Sequence, residues 1–500
     1  MAGTVPVATS LEDIYTPDAV QTQGTRWDHL LSTFKSTYGH SASFVSRSPG
    51  RVNIIGEHID YSLYPVLPMA ITADALLAVS CSAEAADSSA STFKIKISNL
   101  QDEKFPKHEF DIPYDNVEID ATVHEWTNYF KCGLRGALLL LKRKYGNAFR
   151  PKGMNVLMDG TVPAGGGLSS SAAFVSASAL AVMIANGEKD VDKTELTEVA
   201  IVSERAVGVN SGGPVDFPKT QPELAFLIAQ SFVTSNKQVT GPVCYNLRVV
   251  ECSLAAAYLH AAINKSTSPL PADNGPLGVS LHGFGSVYFK DSSTPLDQQL
   301  ETLVEITKST LRQEEGYTRQ EIAQVLGITI SELQARYESS FPIRAERFKL
   351  RQRALHVFSE GLRVQKFLTL LSQPTEASST GSSSSTEVYN KKLGNLMNDT
   401  QDSCRDLYEC SCPEIDDICA IARRAGSYGS RLTGAGWGGC SVHLVPVDKV
   451  EAVEEAWQKE YYSKLELTAE QKDGAVVVSR PGGGSAVLLL DESKLASRAS

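Results

Sequence analysis

Apolar residues alternate with lysines from Phe93 to Ile97, where Phe93, Ile95 and Ile97 are interleaved with Lys94 and Lys96. A period of two predicts a half-buried strand. Asp74 to Cys81, Met154 to Met158, Leu224 to Ala229, Ser441 to Val445 and Ala475 to Ser479 read as further strands, and Phe44 to His58 opens with a short one. Helical periodicity marks Trp126 to Tyr145. That stretch ends in Lys142-Arg143-Lys144, a favourable charge at a helix C-terminus. Ser170 to Ala185 is a long apolar helix, followed by helices over Lys193 to Val207 and Asn246 to Ile263. Glu12 to Tyr38 reads as a polar, helix-rich lead-in, and the chain beyond Ile263 is mostly helical up to Ser441. Thr375 to Thr386, T-E-A-S-S-T-G-S-S-S-S-T, has too little apolar surface to offset ordering, so a disordered insertion is expected at about 374–387.

Composition narrows the function more than the fold. Five hundred residues exceed one ordinary core, which predicts two domains or one large two-lobed domain. A net charge of −11 speaks against nucleic-acid binding through a broad basic surface, so any anion must be held in a local pocket. Met1 to Tyr15 has neither a basic stretch nor an apolar core, and reads as no signal peptide. Apolar runs such as Ala137 to Leu141 are far short of a membrane span. The nine cysteines are irregularly spaced and make no disulfide framework. Cys404, Cys410 and Cys412 lack CxxC spacing and a histidine partner, so they read as reduced thiols of a cytoplasmic protein rather than zinc ligands.

Chemistry first shows itself in P-A-G-G-G-L-S-S-S-A-A, Pro163 to Ala173. Three glycines let the backbone come close to a ligand, and they precede a helix whose first N–H groups lack partners and whose dipole is positive there. Such a combination cradles phosphate, with Ser169, Ser170 and Ser171 as further donors or a Mg²⁺ ligand. The stretch is no Walker A loop, because no lysine follows the glycines. A flexible loop before an N-cap serine is the plainer alternative. R-L-T-G-A-G-W-G-G-C, Arg431 to Cys440, fits GxGxxG but lacks the βαβ setting and downstream carboxylate of a dinucleotide site. It is expected to form a tight loop closing over a neighbouring site.

S-P-G-R-V-N-I-I-G-E-H-I-D-Y, Ser48 to Tyr61, taken with those two glycine loops in that order, resembles the galactokinases of the GHMP kinase superfamily. Thr234 to Glu251 resembles the fungal and animal members in particular. The resemblance covers about Phe44 to Val445. It implies an α+β fold of two lobes, residues 1–225 with the phosphate loop and residues 226–500 in ferredoxin-like style, with the active site between them. The implied reaction is ATP-dependent phosphorylation of the anomeric hydroxyl of galactose, with Mg²⁺. Arg51, Glu57, His58 and Asp60 match the sugar motif, Arg51 offsetting charge on the attacking oxygen and the carboxylates accepting from sugar hydroxyls. Gly165, Gly167, Ser169 and Ser170 match the ATP loop, Ser171 and Glu204 the Mg²⁺ ligands, Asn236 and Lys237 a nucleotide-side stretch, and Tyr245 a sugar-contacting tyrosine. The motif residues do not report on the 2-substituent, which leaves N-acetylgalactosamine open beside galactose.

One departure stands out. The family's helix leads to S-G-G-M-D-Q, whose aspartate takes the proton from the sugar hydroxyl. Here G-V-N-S-G-G is intact, but Pro214 follows, and P-V-D-F-P-K resembles a later family segment. A helix and a strand are therefore expected to be missing between Gly213 and Pro214, together with the base. Asp216 is a poor substitute: Pro214 and Pro218 bracket it, and the second holds Phe217 extended. Three outcomes follow from this seam. The natural protein is an active enzyme whose segment is absent from this sequence, or the chain is a galactose and ATP sensor acting through protein partners, or it is an unstable product.

Overall fold

The computed structural model describes residues 3–81, 91–120, 123, 125–146, 148–163, 167–204, 217–233, 241–264, 268–373 and 385–490, with the backbone alone at 18 and 201–204. In chain order the strands are β1 (Val7–Ala8), β2 (Phe44–Ile55), β3 (Leu67–Cys81), β4 (Thr92–Asn99), β5 (His108–Pro113), β6 (Met154–Gly160), β7 (Leu224–Gln230), β8 (Tyr317–Thr318), β9 (Arg347–Phe348), β10 (Gly429–Thr433), β11 (Cys440–Pro446), β12 (Val476–Ser479) and β13 (Ala486–Leu489). The helices that shape the site are α1 (Pro17–Tyr38), α2 (Thr127–Tyr145), α3 (Ser170–Ala185), α4 (Lys193–Glu204), α5 (Tyr245–Asn264), α6 (Leu350–Leu371), α7 (Glu387–Asp406), α8 (Pro413–Ala425) and α9 (Val450–Glu460).

The first sheet runs β1-β13-β2-β3-β6-β4-β5, antiparallel except at β1–β13 and β4–β6. Its central strand is covered on both faces, which is why its sequence is a continuous apolar run rather than an alternating one. Ala75, Leu77 and Val79 meet α2, α3 and α4, whereas Leu76 and Ala78 meet Trp27, Leu30 and Phe34 of α1. α3 is buried almost all round, and its small residues admit α2 at very short range. A Cβ on Gly133 would stand 2.6 Å from the Val175 carbonyl and 2.7 Å from the Ser178 side chain. The Ser46 hydroxyl donates to the Ala177 carbonyl at 2.8 Å and fixes α3 on β2.

The second sheet runs β10-β11-β7-β12 and is antiparallel throughout. Ala225, Leu227 and Ala229 on one face pack against Ile418 and Ile421 of α8 and Trp457 of α9. On the other face Phe226, Ile228, Val442 and Leu444 join a core built with α5, α6 and α7. The end of β2, through Val52, Ile54 and Ile55, belongs to that same core. The strand that begins in the first sheet therefore delivers the Glu57–Asp60 turn into the second body.

Several expectations are corrected. The Phe44 strand is no short one: β2 runs twelve residues, to Ile55, and absorbs Pro49-Gly50 by a register shift against β3. The expected insertion stops earlier than residue 387, because Thr386 is buried, its N–H donates to the Gln221 carbonyl at 2.7 Å, and α7 starts at Glu387. β5, β10 and β13 carried no legible signal. No helix among the described residues is long and apolar enough to cross a membrane.

Candidate active site

β2 hands the sugar motif from one sheet to the other body. Arg51 pairs with Ala70 of β3, and its N–H donates to the Leu168 carbonyl at 3.0 Å, which ties the motif to the end of the phosphate loop. Beyond Ile55 the chain turns, leaving Glu57 and His58 buried and Asp60 partly exposed. His58 adopts a left-handed backbone at φ 59°. A non-glycine residue there is uncommon and needs a surrounding that fixes it.

The surrounding comes from β10 and α6. Arg431 is wholly buried, donates to the Asn53 carbonyl at 2.7 Å and forms an ion pair with the Glu57 carboxylate. The Gly434 N–H reaches the same carboxylate oxygen at 3.2 Å. The Asn53 N–H donates to the Thr433 hydroxyl at 3.0 Å. Burial pushes the Glu57 carboxyl up from its ordinary value, opposed by the charges of Arg431, His58 and Arg51. One oxygen of Glu57 is thus occupied by protein donors. Among the described residues, no hydrogen bond reaches the other oxygen.

Four rings surround His58, with centroids at 5.0 Å for Tyr408, 5.6 Å for Trp437, 5.7 Å for Tyr245 and 5.9 Å for Tyr61. Its Nε2 lies 3.0 Å from the Ala435 carbonyl, which can only accept, so that nitrogen carries the proton. Nδ1 lies 3.1 Å from the Tyr61 hydroxyl. Cys410 also contacts this ring. Burial would raise the Cys410 thiol, but the Cys404 thiol and the His58 ring bring it down to about 5, and Cys410 in turn helps hold His58 above its ordinary value against burial. A histidine partner for Cys410 therefore exists, brought from more than 300 residues away, where local spacing showed none. Tyr245 opens α5, and burial, then the Asp60 and Glu57 charges, push its hydroxyl up.

On the nucleotide side, Ser169 occupies the N-cap position of α3 at φ 59° and ψ 44° without any side-chain cap hydrogen bond. Its hydroxyl is therefore not used for capping. Gly167 and Gly434 meet back to back. A Cβ on Gly434 would stand 2.9 Å from the Gly167 oxygen, and at φ 89° only glycine sits there without strain. The GxGxxG stretch is the β10–β11 connection, and its contacts with Glu57, His58 and Gly167 make it the expected closing loop.

Of the sequence-derived site residues, Arg51, Glu57, His58, Asp60 and Tyr245 come together, and Leu168, which Arg51 bonds, stands between Gly167 and the serines Ser169, Ser170 and Ser171. Gly165, Asn236, Lys237, Asp216 and the Gly213–Pro214 seam lie outside the described residues, as does the side chain of Glu204. Arg431, Glu360, His356, Tyr408 and Trp437 were missed. Arg431 and Trp437 lie in a stretch whose visible signal is its glycines, and the other three have no local signal because their partners are distant in sequence.

A motif strand and a glycine-serine loop thus meet beside an antiparallel second sheet. Residues 128–220 match the GHMP kinases N terminal domain, 389–463 the GHMP kinases C terminal, and 32–81 the galactokinase galactose-binding signature. Galactokinase of Saccharomyces cerevisiae is 40% identical over 91% of this chain and 93% of its own, and that of Dictyostelium discoideum 36% identical over 92% of each. The chain belongs to the galactokinase family of the GHMP kinase superfamily. A crystal structure of Lactococcus lactis galactokinase complexed with galactose shares the fold, with a TM-score of 0.59 at 22% identity over 92% of this chain and 99% of that one.

Proposed function

We propose that this protein transfers the γ-phosphoryl group of ATP to the anomeric hydroxyl of galactose. The observation that carries the reading is the Arg51 N–H bond to Leu168, because it joins the sugar motif to the phosphate loop in one site. Phosphoryl transfer through a loose transition state is governed by positioning and charge stabilisation. Glu57 and Asp60 accept from sugar hydroxyls, Tyr245 closes the sugar side, and Arg51 offsets charge on the attacking oxygen. Gly165, Gly167, Ser169 and Ser170 are assigned to the phosphates, with the dipole of α3 behind them, and Asn236 and Lys237 are assigned to the nucleotide by their sequence match alone.

Nucleotide-borne Mg²⁺ takes only one or two protein ligands, and the partly exposed Ser171 hydroxyl on the first turn of α3 fits that requirement. Ser171, with Glu204, would hold the ion, which when bound neutralises charge on the transferring phosphoryl group. The nine free thiols suit a reducing cytoplasm. The partners inferred are ATP and the sugar.

The family's base aspartate is absent on this reading, and its assistance is worth about 10² to 10⁴ in rate. Asp216 does not replace it, so D216N is expected to keep turnover within about threefold of the parent, well inside that span. A loss of about a hundredfold would instead make Asp216 the base. Incubation with ATP, Mg²⁺ and galactose, followed by ³¹P NMR, is expected to give galactose 1-phosphate. N-acetylgalactosamine supplied in place of galactose tests the sugar, and a product from it alone would refute the assignment.

A further inference from the structure

Glu360 is a fully buried carboxylate on α6, outside every motif of the sequence. Its Oε1 accepts from two successive amides of the sugar loop, Gly56 at 2.7 Å and Glu57 at 3.2 Å. Its Oε2 accepts from Arg363 at 2.7 Å and from the Thr400 hydroxyl at 2.8 Å. His356 stands one turn earlier on the same face of α6, and its Nε2–H donates to the Glu57 carbonyl at 3.0 Å. Three backbone polar atoms of residues 56 and 57 are therefore gripped by one turn of a helix that belongs to the second body.

The carboxylate is ionised. Burial alone would raise it, but Arg363, His356 and Arg431 hold it down at about 2. Burying a charge is expensive, and an apolar side chain of equal volume would serve packing at least as well. What an apolar side chain cannot do is accept from two adjacent N–H groups. The peptide planes at 56 and 57 set the direction of the Glu57 side chain and of the left-handed His58 that follows it.

We infer that Glu360 is a positioning residue for the sugar: it orients the Gly56–His58 backbone so that Glu57 and His58 present one geometry to the substrate. The inference rests on the sugar-kinase reading above. It concerns the sugar half of the site alone, since the loop that Glu360 holds carries no phosphate-loop residue.

Calorimetric Kd values for galactose and for ATP on the purified chain test this. E360D keeps the charge but withdraws the oxygen by one methylene, and is expected to weaken galactose about tenfold or more, since sub-ångström aim governs such sites. E360Q keeps an acceptor at full reach without the charge and is expected to weaken galactose about threefold. ATP affinity should stay within about twofold in both, because the phosphate loop is not displaced. R363Q removes the ion pair but leaves Oε1 on the amides, and should leave galactose within about twofold. Equal losses of galactose and ATP, or R363Q matching E360D, would reduce Glu360 to a structural role. Should E360D not stay folded, E360Q decides: unchanged galactose affinity overturns the inference. Wild-type protein that binds no galactose would sink the sugar-kinase reading itself, whereas wild type and E360D binding it equally tightly sinks only this inference.

Discussion

At the scale of single residues, the site depends on buried charges that are each answered. Removing one side of the Arg431–Glu57 pair leaves the other buried and unpaired, which typically costs about 3–5 kcal/mol. R431M is therefore expected to lower the urea midpoint strongly, with E57Q added to it recovering part of the loss but none of the sugar affinity. An R431M midpoint equal to the parent's would contradict the pairing. Titration gives a second test. Burial holds His356 at about 3, so below pH 6.5 the unfolded chain takes up a proton that the folded one refuses. His443, also held at about 3 by burial, has the same sign. Glu360, at about 2, adds stability that is complete above pH 4.5 and drains away below it. Glu57 and His58, both held above their ordinary values, carry the opposite sign in parent and variant alike, so H356Q should lose less of its urea midpoint than the parent between pH 6.5 and pH 4. Equal changes in the two proteins would refute it. The sugar-motif residues were legible because they are contiguous. Glu360 and His356 were not, because their partners at Gly56 and Glu57 lie about 300 residues away.

At the scale of elements, legibility followed the contrast between apolar and polar positions. α3 was readable from its unbroken apolar run, and β4 from its alternation with lysines. β10 was not, because every residue of Gly429–Thr433 is buried while Ser430, Arg431 and Thr433 are polar. They are there to bond the sugar motif and neighbouring loops, so function erased the pattern that would have shown a strand. The loop after β10 carries its own prediction. G434A puts a methyl against the Gly167 oxygen and strains a backbone at φ 89°, so the phosphate loop must move. ATP affinity is expected to drop about tenfold or more, with the loss read by ATP-dependent thermal shift. Unchanged ATP stabilisation would show that the two loops do not act together.

At the scale of the whole molecule, the two bodies are joined through the sugar motif itself. β2 starts against α1 and the first sheet and ends in the core of α5, α6 and α7. The composition predicted two lobes but not this crossing, because which core receives Val52, Ile54 and Ile55 is decided by tertiary packing and not by their own apolarity. Whether one site joins sugar and nucleotide is read from the initial rate of ADP release against galactose concentration, for the parent chain and R51M together. The rate is expected to saturate with galactose in the parent and to be at least about tenfold lower in R51M. ADP release that ignores galactose and is equal in both proteins would contradict it.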